Sequence, residues 1–197
     1  FTRCVAEAVG KRYTHMPSSN ELDEKFNEWL FDKLFIGIED VHVPENRRVV
    51  IEVLKPMITN NRLACRAMGT GQVLRDSFAN FMLNSNHKDA VRTTLSDRRF
   101  AVFFTAQQTR ADLVRDGMDD AYFKTLYSWL GSGGYAVVTD FLHTYAIPDE
   151  LNPAQGHRSP DTSTTAQAIE ASLGTVEQEV LEAIEAGRVG FAGGWVS

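Results

Sequence analysis

Two adjacent acids, an asparagine and an arginine pair, each at the end of an apolar run, are the residues of this chain best placed to do chemistry. Glu39 and Asp40 close the run Leu34-Phe35-Ile36-Gly37-Ile38. Neighbouring carboxylates at the end of a buried strand can hold Mg²⁺ through its waters and polarise a water for attack on a phosphoryl group. Acids also stand there simply because a strand leaves the core and meets solvent. Asn86 follows the run Phe78 to Asn84. A neutral amide at that point can hydrogen-bond an attacking water and a phosphoryl oxygen without neutralising a metal, although Ser85-Asn86-His87 is also ordinary turn chemistry. Arg98 and Arg99, after Asp97, precede the run Phe100 to Thr105. An arginine there can reach a neighbouring subunit and stabilise charge on a phosphoryl group in transit, worth roughly 10³–10⁵ in rate. It can equally pair with Asp97 on its own surface.

A further cluster is basic. Arg62-Leu63-Ala64-Cys65-Arg66-Ala67-Met68 and Gln72-Val73-Leu74-Arg75 flank Gly69-Thr70-Gly71, which reads as a β-hairpin. Arg62, Arg66 and Arg75 on such a hairpin can track a phosphate backbone, or be a solvated charged surface. The five histidines are scattered without an HExxH or i,i+4 pairing, so no zinc site is expected. There is no G-x-S-x-G nucleophile elbow either.

These residues need elements to hold them. Phe1, Val5, Ala8 and Val9 share one helical face, and Gly10 stops the helix. Gly10 to Asn20 reads as a loop and Glu21 to Leu30 as a helix. Leu34 to Ile38 has the length and continuity of a central parallel strand buried on both faces. Asn46 to Ile58 reads as a helix with Val49, Val50, Val53, Leu54 and Met57 inward, bent or stopped by Pro56. Phe78 to Asn84 and Phe100 to Thr105 read as strands. Asp119 to Leu130 and Tyr135 to Tyr145 read as helices, broken by Gly131-Ser132-Gly133-Gly134. Pro148 to Asp161 is the best linker. Thr162 to Gly187 reads as helical, interrupted at Gly174, with Thr175 and Gln178 as a capping box for the second piece. Alternating strands and helices imply a parallel α/β sheet, followed by a helical cap or winged-helix-like appendage.

A chain of 197 residues with 43% hydrophobic residues suits one compact α/β domain plus an appendage. The net charge of −6 argues against general coating of nucleic acid but leaves room for a local basic groove. Cys4 and Cys65 form no disulfide framework and read as free thiols of a reducing cytoplasm. No apolar run reaches transmembrane length, and no signal peptide is present. The chain opens inside a helix and closes on Gly193-Gly194-Trp195-Val196-Ser197, so a fragment of a longer polypeptide is expected.

Taken in order and spacing, the motifs resemble the superfamily 3 helicases, ring ATPases of the AAA+ class found in viruses and plasmids. Within that class the chain is most similar to the helicase-like domain that follows a primase-polymerase in certain phages. Phe26-Asn27-Glu28-Trp29-Leu30, Leu54-Lys55-Pro56-Met57-Ile58-Thr59-Asn60, Asn80 to Ala90 and Asp97 to Phe100 carry the resemblance, which runs from Phe1 to at least Phe104. It implies a truncated P-loop α/β core over residues 1–116 and a helical region over 117–197. It implies ATP and Mg²⁺ as cofactors, with Glu39 and Asp40 as the metal-holding and water-activating Walker B acids and Asn86 as the sensor asparagine. Arg99 matches the arginine finger, with Arg98 second. The hairpin bearing Arg62, Arg66 and Arg75 takes the place of a DNA-tracking hairpin. The implied protein is a replicative DNA helicase working as a homo-oligomeric ring, a hexamer, on single-strand or forked DNA in the bacterial host cytoplasm. A primase-polymerase on the same chain is implied too. The phosphate loop G-x-x-x-x-G-K-[ST] is absent from this sequence, and the resemblance places it just before Phe1. The alternative is a non-catalytic nucleic-acid-binding or assembly module derived from such an ATPase.

Overall fold

The computed structural model describes residues 1–18, 21–22, 24, 26–41, 49–69, 71–88, 90, 97–152, 159–174, 179–180, 182–184 and 186–188; side chains are described from residue 53 onward in the helix that begins at Val49. It is a mixed α/β structure built on a small parallel sheet. Helix α1 (Thr2–Val9) buries Thr2 and Ala6, one turn apart on one face, and ends where Gly10 takes φ 96°. That left-handed value is cheap only for glycine. A short turn leads to β1 (Thr14–His15), which the loop expectation for residues 10–20 missed. Two residues are too few to show a period.

β1 pairs parallel with β2 (Phe35–Ile38), and β2 pairs parallel with β5 (Asn80–Leu83), giving the order β1-β2-β5. β2 is central, and all four of its residues are buried, as its unbroken apolar run predicts. Its core neighbours are Leu30, Phe31, Val41, Leu54, Cys65 and Ala90. Between β2 and β5 come α2 (Val49–Thr59) and an antiparallel hairpin, β3 (Arg62–Cys65) with β4 (Val73–Asp76). Helix α2 carries Pro56 in its last turn and runs on to Thr59. Leu54 faces the core, whereas Val53, expected inward, is exposed. The calls on Asn46 and on the side chains of Val49 and Val50 lie outside the described residues.

Two expected elements are absent as such. Residues 21–30 are not one helix: among the described residues Glu21 and Leu22 are helical, Glu24 is a bend, Phe26 and Asn27 are irregular, and Glu28–Leu30 is a 3₁₀ turn. Asn27 breaks the run, because its side chain serves another element. Its amide donates to Ala64 O (3.0 Å), and its Oδ1 accepts from Arg66 N (2.8 Å), tying down the end of β3. Residues 100–105 are not a strand either. Their segment lies along residues 159–164: Ser159 N donates to Arg98 O (2.8 Å), Ser159 Oγ to Phe100 O (3.0 Å), and the Thr162 and Thr164 hydroxyls to Val102 O. The hydroxyls of Ser159, in the expected linker, and of Thr162 and Thr164, at the start of the segment expected to be helical, do what a neighbouring strand would have done.

The later helices follow the sequence closely. α3 (Arg110–Arg115), not expected, is started by a Thr109/Asp112 capping box. α4 (Asp120–Trp129) is capped by Asp119, and the Gly131–Gly134 break, with Gly133 at φ 118°, leads into α5 (Tyr135–Thr144). α5 packs against α1, where His143 Nε2 lies 2.8 Å from Ala8 O. α6 (Thr165–Ala171) stops before Gly174; Thr175 and Gln178 lie outside the described residues. No helix among the described residues is long and apolar enough to cross a membrane.

One close approach seats α1 on the sheet. A Cβ built on Gly37 would fall well inside contact distance of Thr2 Cγ2. Thr2 is only 2% exposed and cannot swing out to solvent without leaving the core. Gly37→Ala should therefore destabilise the fold by about 1–3 kcal/mol, the usual cost of overpacking. Urea unfolding measures this; an unchanged midpoint would show that α1 does not sit on Gly37.

Candidate functional site

The site forms where β2 and β5 end together. Their ladder runs from Phe35 opposite Asn80 to Ile38 opposite Leu83. One residue further, Asn84 N donates to Ile38 O (2.8 Å), and Asn84 O accepts from Val41 N (2.8 Å). Glu39 and Asp40 are thus looped out between two hydrogen bonds to a single residue, two against one as in a β-bulge. Asp40 takes φ 51°, a left-handed conformation rare for a side-chain-bearing residue. Both acids are exposed. The carboxyl edge of a parallel sheet is where open α/β folds bind ligands.

Two side chains from the segment after β5 meet these acids, and one of them reaches α1. Asn84 Nδ2 donates to Glu39 Oε2 (3.2 Å) and to Thr2 Oγ1 (2.5 Å), linking β2, β5 and the first residue of α1. Asn86 Nδ2 lies 3.5 Å from Asp40 Oδ1, the outer limit of a hydrogen bond. Ser85 steadies the turn between the two asparagines: its hydroxyl donates to Val41 O and accepts from His87 N (2.9 Å). Glu39, Asp40 and Asn86, singled out in the sequence, are therefore together. Asn84 and Thr2 were missed. Asn84 reads as the last residue of a strand. Thr2 was missed because the sequence placed the helix's apolar face at Phe1, Val5, Ala8 and Val9, whereas the structure exposes Phe1 and buries Thr2 and Ala6.

The donor set is hard oxygen. No group of three or more His, Cys, Asp or Glu side chains gathers among the described residues. Two adjacent carboxylates suit Mg²⁺, which commonly takes one or two carboxylates and completes its shell with water and substrate phosphates. By donor chemistry, Glu39 and Asp40 fit that ion.

The arginines lie elsewhere. Arg99 N donates to Asp97 Oδ1 (2.8 Å), and its guanidinium sits 3.7 Å from Asp97 Oδ2. Arg99 Nε is buried without a hydrogen-bond partner, and Arg98 is exposed. Among the described residues, neither arginine bonds to Glu39 or Asp40. On the hairpin, Arg62 pairs with Asp76 (3.1 Å). Arg75 makes a two-pronged contact with Asp32 (2.8 and 2.9 Å) and lies over the Phe31 ring at 5.2 Å. The bonds to Asp32 raise the Arg75 guanidinium above its ordinary pKa. Arg66 is exposed and has no acid partner among the described residues.

Comparison with known proteins bears on the same region. The family described as "Family of unknown function (DUF5906)" matches residues 1–99. The DNA primase-polymerase of Nitratiruptor phage NrS-1 is 34% identical over 104 residues, covering 50% of this chain and 14% of the phage protein. The apo structure of the NrS-1 C-terminal region has a similar fold, with a TM-score of 0.61 at 17% identity over 92% of this chain and 41% of that one. The A form of the same region gives 0.61 at 18% identity, over 92% of this chain and 42% of that one. This chain thus spans 14% of the phage protein and about two fifths of each C-terminal-region chain.

The left-handed Asp40 gives a test of the site's backbone. Asp40→Gly and Asp40→Ala both remove the carboxylate, but only glycine holds φ 51° at no steric cost. Asp40→Gly should be the more stable of the two by about 1 kcal/mol. Equal unfolding midpoints would mean that the dipeptide is not looped out as described.

Proposed function

We propose that this chain, which belongs to the DUF5906 family, is the ATP-hydrolysing core of a phage DNA-replication protein that moves along DNA as a homo-oligomeric ring. The observation that carries the reading is the meeting of Glu39, Asp40 and Asn86 at the carboxyl edge of a parallel sheet, with the N-terminus of α1 seated on the same edge. Homology to a phage primase-polymerase supports the replication setting and a primase-polymerase on the same polypeptide. The division into a core over residues 1–116 and a helical region over 117–197 belongs to this proposal.

In this reading Glu39 and Asp40 are the acids that would hold Mg²⁺, which when bound supplies charge neutralisation on the phosphates of ATP. Glu39 is the anchored acid, fixed by Asn84 toward α1. Asp40 is held only weakly, at 3.5 Å from Asn86, and can turn toward a water. Asn86 then orients that water, since its amide can donate and accept at once. The unsatisfied N–H groups and positive end of α1 favour phosphate charge nearby. Arg99 acts from the neighbouring subunit, exchanging Asp97 for phosphate; Arg98 is the exposed second candidate. Arg62, Arg66 and Arg75 face the DNA.

The shared site is tested by mixing. In the full-length protein, Arg99→Ala and Asp40→Ala should each abolish ATP turnover. Arg99→Ala should leave ATP binding nearly intact, because the finger acts on transition-state charge. A mixture should recover part of the activity, since some interfaces then join an intact Asp40 to an intact Arg99. Full inactivity despite proven subunit exchange would contradict a site completed in trans.

The hairpin is tested by salt. Arg66 is unpaired with any acid among the described residues, whereas Arg62 and Arg75 each hold one. Arg66→Ala should weaken single-strand DNA binding and lower the salt slope by up to about one unit. Arg62→Ala should do less. If Arg66→Ala leaves both affinity and slope unchanged, the hairpin does not contact the phosphates.

A further inference from the structure

We infer that Asn84 is a positioning residue for Glu39, and that through Thr2 it locks the anchored acid to the first turn of α1. The inference rests on the hydrolytic reading of this edge and deepens it. Asn84 holds the acidic pair in two separate ways. Its main chain bonds to Ile38 and Val41, on either side of Glu39 and Asp40, at 2.8 Å each. Its side-chain amide spends one N–H on Glu39 Oε2 and the other on Thr2 Oγ1. The orientation of the amide follows from chemistry: a carboxylate only accepts, so the NH₂ group must face Glu39 and the carbonyl must turn away.

A long exposed glutamate is otherwise free to sample many rotamers, and ordering it costs up to about 1.5–2 kcal/mol. Among the described residues, Asn84 is the sole hydrogen-bond partner of the Glu39 carboxylate. Thr2, nearly fully buried and seated against Gly37, gives that amide a rigid backing. The carboxylate is thus set in place before a nucleotide arrives, which is where preorganised electrostatics gain their effect. The same link makes a displacement of α1 a displacement of Glu39, so the phosphate-facing helix end and the acid move as one unit.

The bland alternative is that Asn84 only finishes the strand. The two roles differ in how Asn84 and Glu39 substitutions combine. The experiment uses the full-length protein and Mg²⁺-ATP turnover, with Asn84→Leu (same size, no donors), Asn84→Asp (same shape, donor replaced by acceptor), Glu39→Gln, and Asn84→Leu with Glu39→Gln. Each variant's unfolding midpoint is followed alongside. Asn84→Leu and Asn84→Asp should lower kcat by about 10–100-fold, the range for groups that orient a ligating side chain. KM for ATP should stay within about threefold. On the Glu39→Gln background, Asn84→Leu should cost less than about a further twofold, because the residue it positions has already lost its function.

Wild-type kcat in Asn84→Asp, or losses that multiply fully in the double variant, would overturn the positioning role while leaving the hydrolytic reading intact. A full-length wild type that hydrolyses no nucleotide would overturn both. Should Asn84→Leu fail to fold, Asn84→Asp alone decides between a selective loss of kcat and no loss.

Discussion

The pairing of β2 with β5 governs everything at this edge. It aligns Ile38 with Leu83 and then hands the ladder to Asn84, whose N–H and C=O bind on either side of Glu39 and Asp40. Two residues opposite one must leave the plane of the sheet, and Asp40 does so by taking a left-handed backbone. A shift of register by one residue would bring Leu83 or Ser85 into the place of Asn84 and turn the acids away from their partners. Register in turn depends on packing: a one-residue slip of β2 would bring Ile36 or Ile38 into the place of Gly37, where Thr2 leaves no room for a side chain.

Around this edge the structure separates rigid supports from charged surfaces. α1 rests on Gly37 through Thr2 at its first turn and packs against α5, which bonds it at Ala8. The hairpin is fastened differently, by polar clips from Asn27 and by Asp32, itself at φ 62°. The Asp32 clip is exposed, whereas the Asn27 bond to Ala64 is part-buried. Exposed ion pairs of this kind contribute little to stability.

How far the sequence could be read depended on the kind of signal. The unbroken run Phe35-Ile36-Gly37-Ile38 announced a buried parallel strand, and the Gly-containing turn between two short runs announced the hairpin. Gly10 and the Gly131–Gly134 break marked helix ends correctly. The failures share a cause. Asn27 looked like one residue of an amphipathic helix, but its side chain was committed to a strand 37 residues away. The apolar residues 100–105 looked like a strand, but their carbonyls were claimed by hydroxyls from Ser159, Thr162 and Thr164. Local pattern cannot show a long-range side-chain partner. For the same reason Glu39, Asp40 and Asn86 were legible as candidates, while Asn84, which joins them to α1, was not.

In the proposed function the acids at the end of β2 turn over nucleotide. The most direct measurement compares Mg²⁺-ATP binding and hydrolysis by the full-length protein with those of its Glu39→Gln and Asp40→Asn forms. The unaltered protein should hydrolyse ATP, and both variants should still bind it but lose turnover by at least about 100-fold, an effect on the transition state rather than on ground-state binding. Hydrolysis at the unaltered rate in both variants would contradict the proposed function, because the reaction would then run without either acid.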